Sequence, residues 1–337
     1  MTTTPSLARR RALAALTAFG GLAAGRALAP ALGLASTLAP AAAAAQAAWP
    51  AKTVRIVIGA PPGGTADIVA RLLAEGLQRE WGQPVIVDAK PGAAGLIAMQ
   101  DFLGQPADGH TLLVSVNALV TEIPHVIKLR FDPFRDVKPL AELSRSGLVL
   151  VVNPALPAKN VAELVAHAKA NPGKLSYASY SAGTISHTMG LALNKAAGID
   201  LNHVPYKGSP PALQDVMGGH VAAMFDGPAT SIPMIKAGKL RALAVSGPKR
   251  NPALPDVPTF TEQGFPMLDE VAWMGLWVRP DVPADVQAKV RQAALKVMAQ
   301  PTVQARLVEL GSEPGVGATP QALEASLRKA HDRQGAV

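Results

Sequence analysis

Apolar residues along this chain alternate between two spacings, and the switches mark a succession of strands and helices. Val54, Ile56, Val57 and Ile58 form a β-branched run that Pro61-Pro62-Gly63-Gly64 stops. Ile68, Val69, Leu72, Leu73 and Leu77 then fall on one helical face, predicting a helix from Thr65 or Ala66. The pattern repeats with a strand at Val85–Ala89, a turn at Pro91–Gly95, a short helix over 95–103 and a strand at Thr111–Val116 ending at polar Asn117. Residues 121–140 are charged and broken by proline, and read as a long connection. A dense apolar strand follows at Leu148–Val152.

A second series starts there. It comprises a helix carrying Val161, Leu164, Val165 and Ala168, a strand at Lys174–Ser179, and a small-residue loop at Tyr180–Thr184. A helix at Ile185–Ala197, a strand at Leu201–Tyr206 and a helix at Pro210–Gly218 come next. Strands at Val221–Phe225 and Leu240–Val245 flank a helix near Thr230–Ala237. One more strand, Val271–Val278, precedes helices at 283–299, 302–310 and 320–331. Alternating strands and helices predict α/β architecture with parallel-rich sheets covered on both faces. The simplest arrangement has two lobes: residues 48–149 begin lobe 1, 150–270 form lobe 2, and 271–337 return to lobe 1. Two crossings, near 148–152 and 268–276, would then hinge a ligand cleft.

Composition changes the picture at the N-terminus. Arg9-Arg10-Arg11 precedes a long Ala/Leu/Gly stretch without acids, and Ala45-Gln46-Ala47 offers a small-residue cleavage site. Residues 1–47 therefore read as an export signal, with the arginines favouring the twin-arginine route, and Arg26, Pro30 and Pro40 disfavour a spanning helix. The formal charge of +8 comes from 32 basic and 24 acidic residues; without the signal's four arginines the excess is +4. That mild balance and a 4% aromatic content argue against nucleic acid. The chain has no cysteine, which excludes thiolate metal sites and thiol catalysis, and its seven histidines show no ligand spacing. No metal or cofactor is expected.

Two loops carry the candidate chemistry. At Gly63-Gly64-Thr65-Ala66-Asp67 a strand turns through glycines into a helix, leaving backbone N–H groups and the positive end of a helix dipole for an anion. It is not a phosphate loop, since no lysine follows the glycines. Ser179–Thr184 repeats the design with hydroxyls. Read as a nucleophile elbow it lacks the first glycine, and the histidines after Ser181 have no evident acidic orienter, so a serine hydrolase using Ser181 is a weak alternative. Ligands sit beyond the carboxyl ends of parallel strands, which places Tyr206, Lys207 and Asp226 near the cleft, Asp226 as either a ligand contact or a loop cap. Trp273 and Trp277 read as packing residues.

The order W-P-x-K, PPGGTAD-x-x-AR, KPGAAG, DG-x-TLL, LPAK-x-x-AEL, ANPGKL-x-YAS, HVPYKG-x-x-PAL-x-D-x-x-GG and P-x-IKAGKLRALAV-x-x-x-KR-x-PALPDVPT, from Trp49 to about Leu327, resembles the substrate-binding receptors of tripartite tricarboxylate transporters, the Bug-type periplasmic proteins. The resemblance implies a two-lobed type II periplasmic-binding-protein fold that grips a small carboxylate and is not an enzyme. It also implies a periplasmic monomer that docks onto a permease of one large and one small membrane subunit. A sensing module that presents its acid to a membrane receptor is the other reading. Family contacts carry over onto Gly63, Gly64, Thr65, Ala66 and Asp67, onto Ser115 and Asn117, and onto Ser181, Gly183, Thr184 and Asp226. The chain departs from many relatives at Ala66, at Ala89-Lys90 and at Tyr180-Ser181.

Overall fold

The computed structural model describes residues 49–334; the expected export signal lies outside them. Eleven strands are described: β1 (Val54–Ile58), β2 (Val85–Ala89), β3 (Thr111–Val116), β4 (Lys138–Gly147), β5 (Val149–Val152), β6 (Ser176–Ser179), β7 (Asn202–Pro205), β8 (Ala223–Asp226), β9 (Arg241–Val245), β10 (Val271–Val278) and β11 (Glu313–Pro314). The helices are α1 (Thr65–Trp81), α2 (Leu96–Leu103), α3 (Ala118–Thr121), α4 (Ile123–Val126), α5 (Val161–Ala170) and α6 (Ile185–Ala197). They continue with α7 (Ser209–Met217), α8 (Pro228–Lys236), α9 (Ala284–Met298), α10 (Pro301–Glu309) and α11 (Pro320–Gln334).

These elements build two sheets, in the orders β11-β4-β10-β3-β1-β2 and β7-β6-β8-β5-β9. Both are buried on both faces, as the unbroken apolar strands require. Along β1, Val54, Ile56 and Ile58 enter one core and Val57 the opposite one. Along β5, Leu150 and Val152 face one core while Val149 and Val151 face the other. Strict alternation of side-chain direction makes a single apolar run serve two helical layers.

Each sheet is mixed rather than uniformly parallel. Strands β1, β2 and β3 are parallel to one another, as are β6, β7 and β8. Strand β10 is antiparallel to β3 and β4, and β5 is antiparallel to β8 and β9. The cause is the connection. Strand β4 runs into β5 through Leu148 alone, with no helix to turn the chain round, so the crossing strands enter their sheets reversed.

Strand β4 starts at the end of the connection expected over 121–140 and fills residues 141–147, to which the apolar pattern assigns no element. Its sequence KPLAELSRSG carries charges, yet Glu142 is only 2% exposed. Arg145 satisfies that carboxylate through two bonds, Nε to Oε1 at 2.6 Å and Nη2 to Oε2 at 2.9 Å. Two side chains that each read as solvent-facing neutralise one another inside the sheet. At the crossing, the Ser246 hydroxyl accepts from Leu148 N at 2.7 Å and donates to the Glu270 carbonyl at 2.6 Å, stitching the outgoing and returning segments together. A Cβ on Gly147 would lie 1.9 Å from the Ser246 carbonyl oxygen, so only glycine fits there.

Candidate functional site

A cavity of about 160 Å³ lies between the two sheets, beyond the carboxyl ends of β1, β3, β6 and β8. Roughly 10–15 Å³ on this measure admits one water, so the space suits a small molecule. Five helix starts reach it: Gly64 and Thr65 of α1, Gly95 before α2, Thr184 and Ile185 of α6, Gly208 and Ser209 of α7, and Gly227 before α8. None of these helices is capped by a side-chain hydrogen bond. In α1 the first helical bond runs from Ile68 N to the Gly64 carbonyl at 3.0 Å, so the N–H groups of Thr65, Ala66 and Asp67 lie ahead of the ladder. In α6 His187 N and Thr188 N both reach the Thr184 carbonyl, leaving Ile185 and Ser186 N–H in the same position. Such converging donors make a site for an anion.

The first loop is held from below. Asp67, 3% exposed, accepts from Gly63 N and from Arg71 Nε, each at 2.9 Å, tying the glycine turn to the first turn of α1. Thr65 Oγ1 is buried and has no hydrogen-bond partner among the described residues. The loop also touches the opposite half. A Cβ added to Gly208, whose φ is +110°, would lie 2.4 Å from Pro61 Cδ, and one on Gly227 would lie 2.6 Å from Thr65 Oγ1. Pro61 and Thr65 therefore meet glycine backbone across the cavity.

In the second loop the Ser181 carbonyl accepts from Thr184 Oγ1 at 2.8 Å and from Ser179 Oγ at 3.1 Å. His187 Nδ1 accepts from Gly183 N at 3.1 Å, while His203 Nε2 lies 2.6 Å from Ser179 Oγ. The two imidazoles stack with centroids 4.0 Å apart. Burial, together with the facing His187, pushes His203 down to about 4, and burial lowers His187 as well. Both rings are thus neutral braces under the loop. The histidine reaches Ser179 and not Ser181, which is the wrong pairing for a Ser181 nucleophile.

Asp226 is fully buried and serves as an anchor. Its carboxylate accepts from Ser209 Oγ at 2.6 Å, Thr230 Oγ1 at 2.6 Å and Ser231 Oγ, all in the first turns of α7 and α8. Tyr180 lies beside the cluster, its hydroxyl accepting from Gly227 N. Burial raises the Asp226 carboxyl against the pull of its hydroxyl donors, and burial beside Asp226 raises Tyr180 well above its ordinary value.

Of the residues singled out from sequence, Gly64, Thr65, Ala66, Ser115 and Thr184 line the cavity. Gly63, Asp67, Asn117, Ser181, Gly183 and Asp226 stand behind it as supports. Asn117 Oδ1 accepts from Trp273 N at 3.0 Å, and Gly183 packs on Val126. Lys207 lines the rim, whereas Tyr206 turns away to hydrogen-bond Asp215. Sequence reasoning missed Ser144 and Ser146, which line the cavity from the unrecognised β4, and assigned Trp273 to packing alone. The turn Gly92–Gly95 also reaches the cavity, and its Ala93 and Ala94 hold left-handed φ values of 47° and 54°. Its strand-glycine-helix design was the available signal. Among the described residues no group of three or more acidic or histidine side chains could hold a metal ion, and no helix is long and apolar enough to cross a membrane.

Comparison with known proteins adds an independent line. Residues 69–337 match the family model described as tripartite tricarboxylate transporter family receptor. The chain is similar to the Cupriavidus necator "UPF0065 protein in gbd 5'region", 37% identical over 266 residues, 79% of this chain and 80% of that one. Among solved structures it resembles R. palustris Rpa4515 with adipate, at TM-score 0.81 and 30% identity over 85% of this chain and 95% of that one. It also resembles MatC (Rpa3494) from Rhodopseudomonas palustris with bound malate, at TM-score 0.81 and 29% identity over 86% of this chain and 99% of that one.

Proposed function

This chain belongs to the tripartite tricarboxylate transporter receptor family, and on that premise we propose that it captures a small organic carboxylate outside the cytoplasmic membrane and delivers it to a permease of one large and one small subunit. The family's members are receptors rather than enzymes. The observation that carries the ligand reading is the set of uncapped helix starts facing one cavity, with Thr65 Oγ1 buried and unpartnered beside them. Carboxylate oxygens accept from such groups in charge-assisted bonds, and the relatives with adipate and with malate hold molecules of that class.

In this reading Gly64, Thr65 and Ala66 form one jaw, with Gly63 and Asp67 shaping it. Thr184, backed by Ser181 and Gly183, forms the other. Ser115 lines the floor. Asn117 and Asp226 position neighbours that touch ligand. The sheet-centred halves act as lobes hinged where the chain crosses at Gly147 and returns between β9 and β10, and closure removes water from the clamp. The protein works as an exported monomer whose signal is removed.

Binding is tested by thermal shift and native mass spectrometry with adipate, malate and the neutral adipamide. An acid should raise the melting temperature in a concentration-dependent way, as ligand linkage requires. A shift with adipamide but with neither acid would refute the carboxylate clamp. Delivery is tested by gene deletion: uptake of the acid should be lost, whereas loss of gene induction with uptake intact would assign sensing instead.

A further inference from the structure

The cavity's polar groups are the helix starts and three strand serines, Ser115 on β3 and Ser144 and Ser146 on β4, and most of the remaining wall is hydrocarbon. Val114, Val116, Leu148, Ile185, Trp273 and Met274 line it from β3, α6, β10 and the crossing between β4 and β5. Several hydroxyls at its edge are already committed. Thr184 Oγ1 donates to the Ser181 carbonyl, Ser209 Oγ donates to Asp226, and the Tyr180 hydroxyl accepts from Gly227 N. Among the described residues the one charged side chain at the cavity is Lys207, which is exposed. The apolar wall is also rigid. The Trp273 ring stacks on fully buried Trp277 with centroids 5.6 Å apart and planes 10° apart. Its backbone is clamped on both sides by Asn117, which accepts from Trp273 N and donates its own N–H to the Trp273 carbonyl.

We propose that the acid taken by this cleft carries an apolar body, an aromatic ring or an extended alkyl chain, in preference to a hydroxylated polyacid skeleton. This rests on the carboxylate reading above and narrows it. A hydroxypolyacid brings several charged and polar groups, each needing its own donors. Against these walls some of its oxygens would be desolvated without partners, a cost that an apolar body does not incur. An apolar body instead covers wall that is already ordered, so little is lost in arranging it.

The experiment is isothermal titration of the dialysed protein with succinate, glutarate, adipate, benzoate, malate, citrate and adipamide, repeated at three temperatures. Affinity should rise about fourfold for each methylene from succinate to adipate, from the free energy of burying one CH₂. Adipate or benzoate should bind at least tenfold more tightly than malate and citrate, with a clearly negative heat-capacity change. Affinity that is flat or falls with chain length, or malate or citrate as the tightest ligand, overturns the apolar-body proposal and leaves the carboxylate clamp standing. Adipamide matching adipate, or no acid binding at all, overturns the clamp and the proposal with it. As a second readout, Trp273→Ala should weaken adipate or benzoate at least fivefold and make the heat-capacity change less negative. Equal weakening of every acid with no change in heat capacity would count against an apolar contact.

Discussion

Helix α5 and helix α1 begin in opposite ways. At α5 the Asn160 side chain caps Glu163 N at 2.8 Å, the Glu163 carboxylate takes Lys159 N at 2.7 Å, and Gln263 Oε1 takes Val161 N at 3.0 Å. That is a closed capping box with its donors consumed by the protein itself. At α1 the N-cap is Gly64, which has no side chain to offer, and Thr65 Oγ1 is left without a partner. One start is closed by the protein's own side chains and faces away from the cavity; the other leaves its donors open at the cavity. The difference teaches where to look: a helix start stripped of its own cap, and buried, marks function more sharply than glycine content does.

The largest expected effect tests the foundation under the uncapped starts. Asp226→Ala should lower stability by about 3 kcal/mol or more in urea unfolding, because three buried hydroxyls lose their acceptor. A loss below about 1 kcal/mol would mean that the cluster is not the anchor of α7 and α8. Next, Gly64→Asp gives α1 a cap of its own. Gly64 has extended φ/ψ of −76° and 163°, so the backbone accepts a side chain there, although its Cβ would meet the Pro61 carbonyl oxygen at 3.1 Å. Acid affinity should fall by ~100-fold or more, about 2.7 kcal/mol, while stability holds or rises by a few tenths. Unchanged affinity in calorimetry would show that α1 is not a jaw.

Two matched substitutions then separate the two kinds of start. Thr65→Val should cost about 1 kcal/mol of binding and almost no stability, since the hydroxyl has no protein partner to lose. Asn160→Ala should cost about 1 kcal/mol of stability and no binding. Crossed results would dissolve the comparison.

The last test concerns the histidine brace at the start of α6. His203 is held down to about 4 in the folded protein, against ~6.5 for a free imidazole. Between those values the unfolded chain binds the extra proton, so stability is full above ~6.5 and declines as pH falls towards 4. Urea midpoints should therefore drop between pH 7 and pH 5. The slope should shrink in His203→Gln, and a slope indifferent to that change would place the titration elsewhere.

Much of this was readable without coordinates. Both strand-to-helix loops, most strands of both sheets and most helices follow from local apolar spacing and from proline and glycine, because those signals act between near neighbours. Gly64, Thr65, Ala66 and Thr184 were reachable since each lies at a helix start, and Ser115 through the family resemblance. Asp226 could be singled out but its role was left open between ligand contact and cap, because the hydroxyls that surround it come from two helices.

What the sequence determined by itself is the series of βα units, the position of the two strand-to-helix loops and, through its motifs, the family. What tertiary structure alone decided is the back of the cleft. Strand β4 is legible only once Glu142 and Arg145 are seen to neutralise each other, and the cavity wall joins β3, β4 and the crossing at Leu148 to β10, which lies more than a hundred residues further along the chain. Such contacts depend on register and on antiparallel insertion, and neither leaves a mark in the spacing of neighbouring residues.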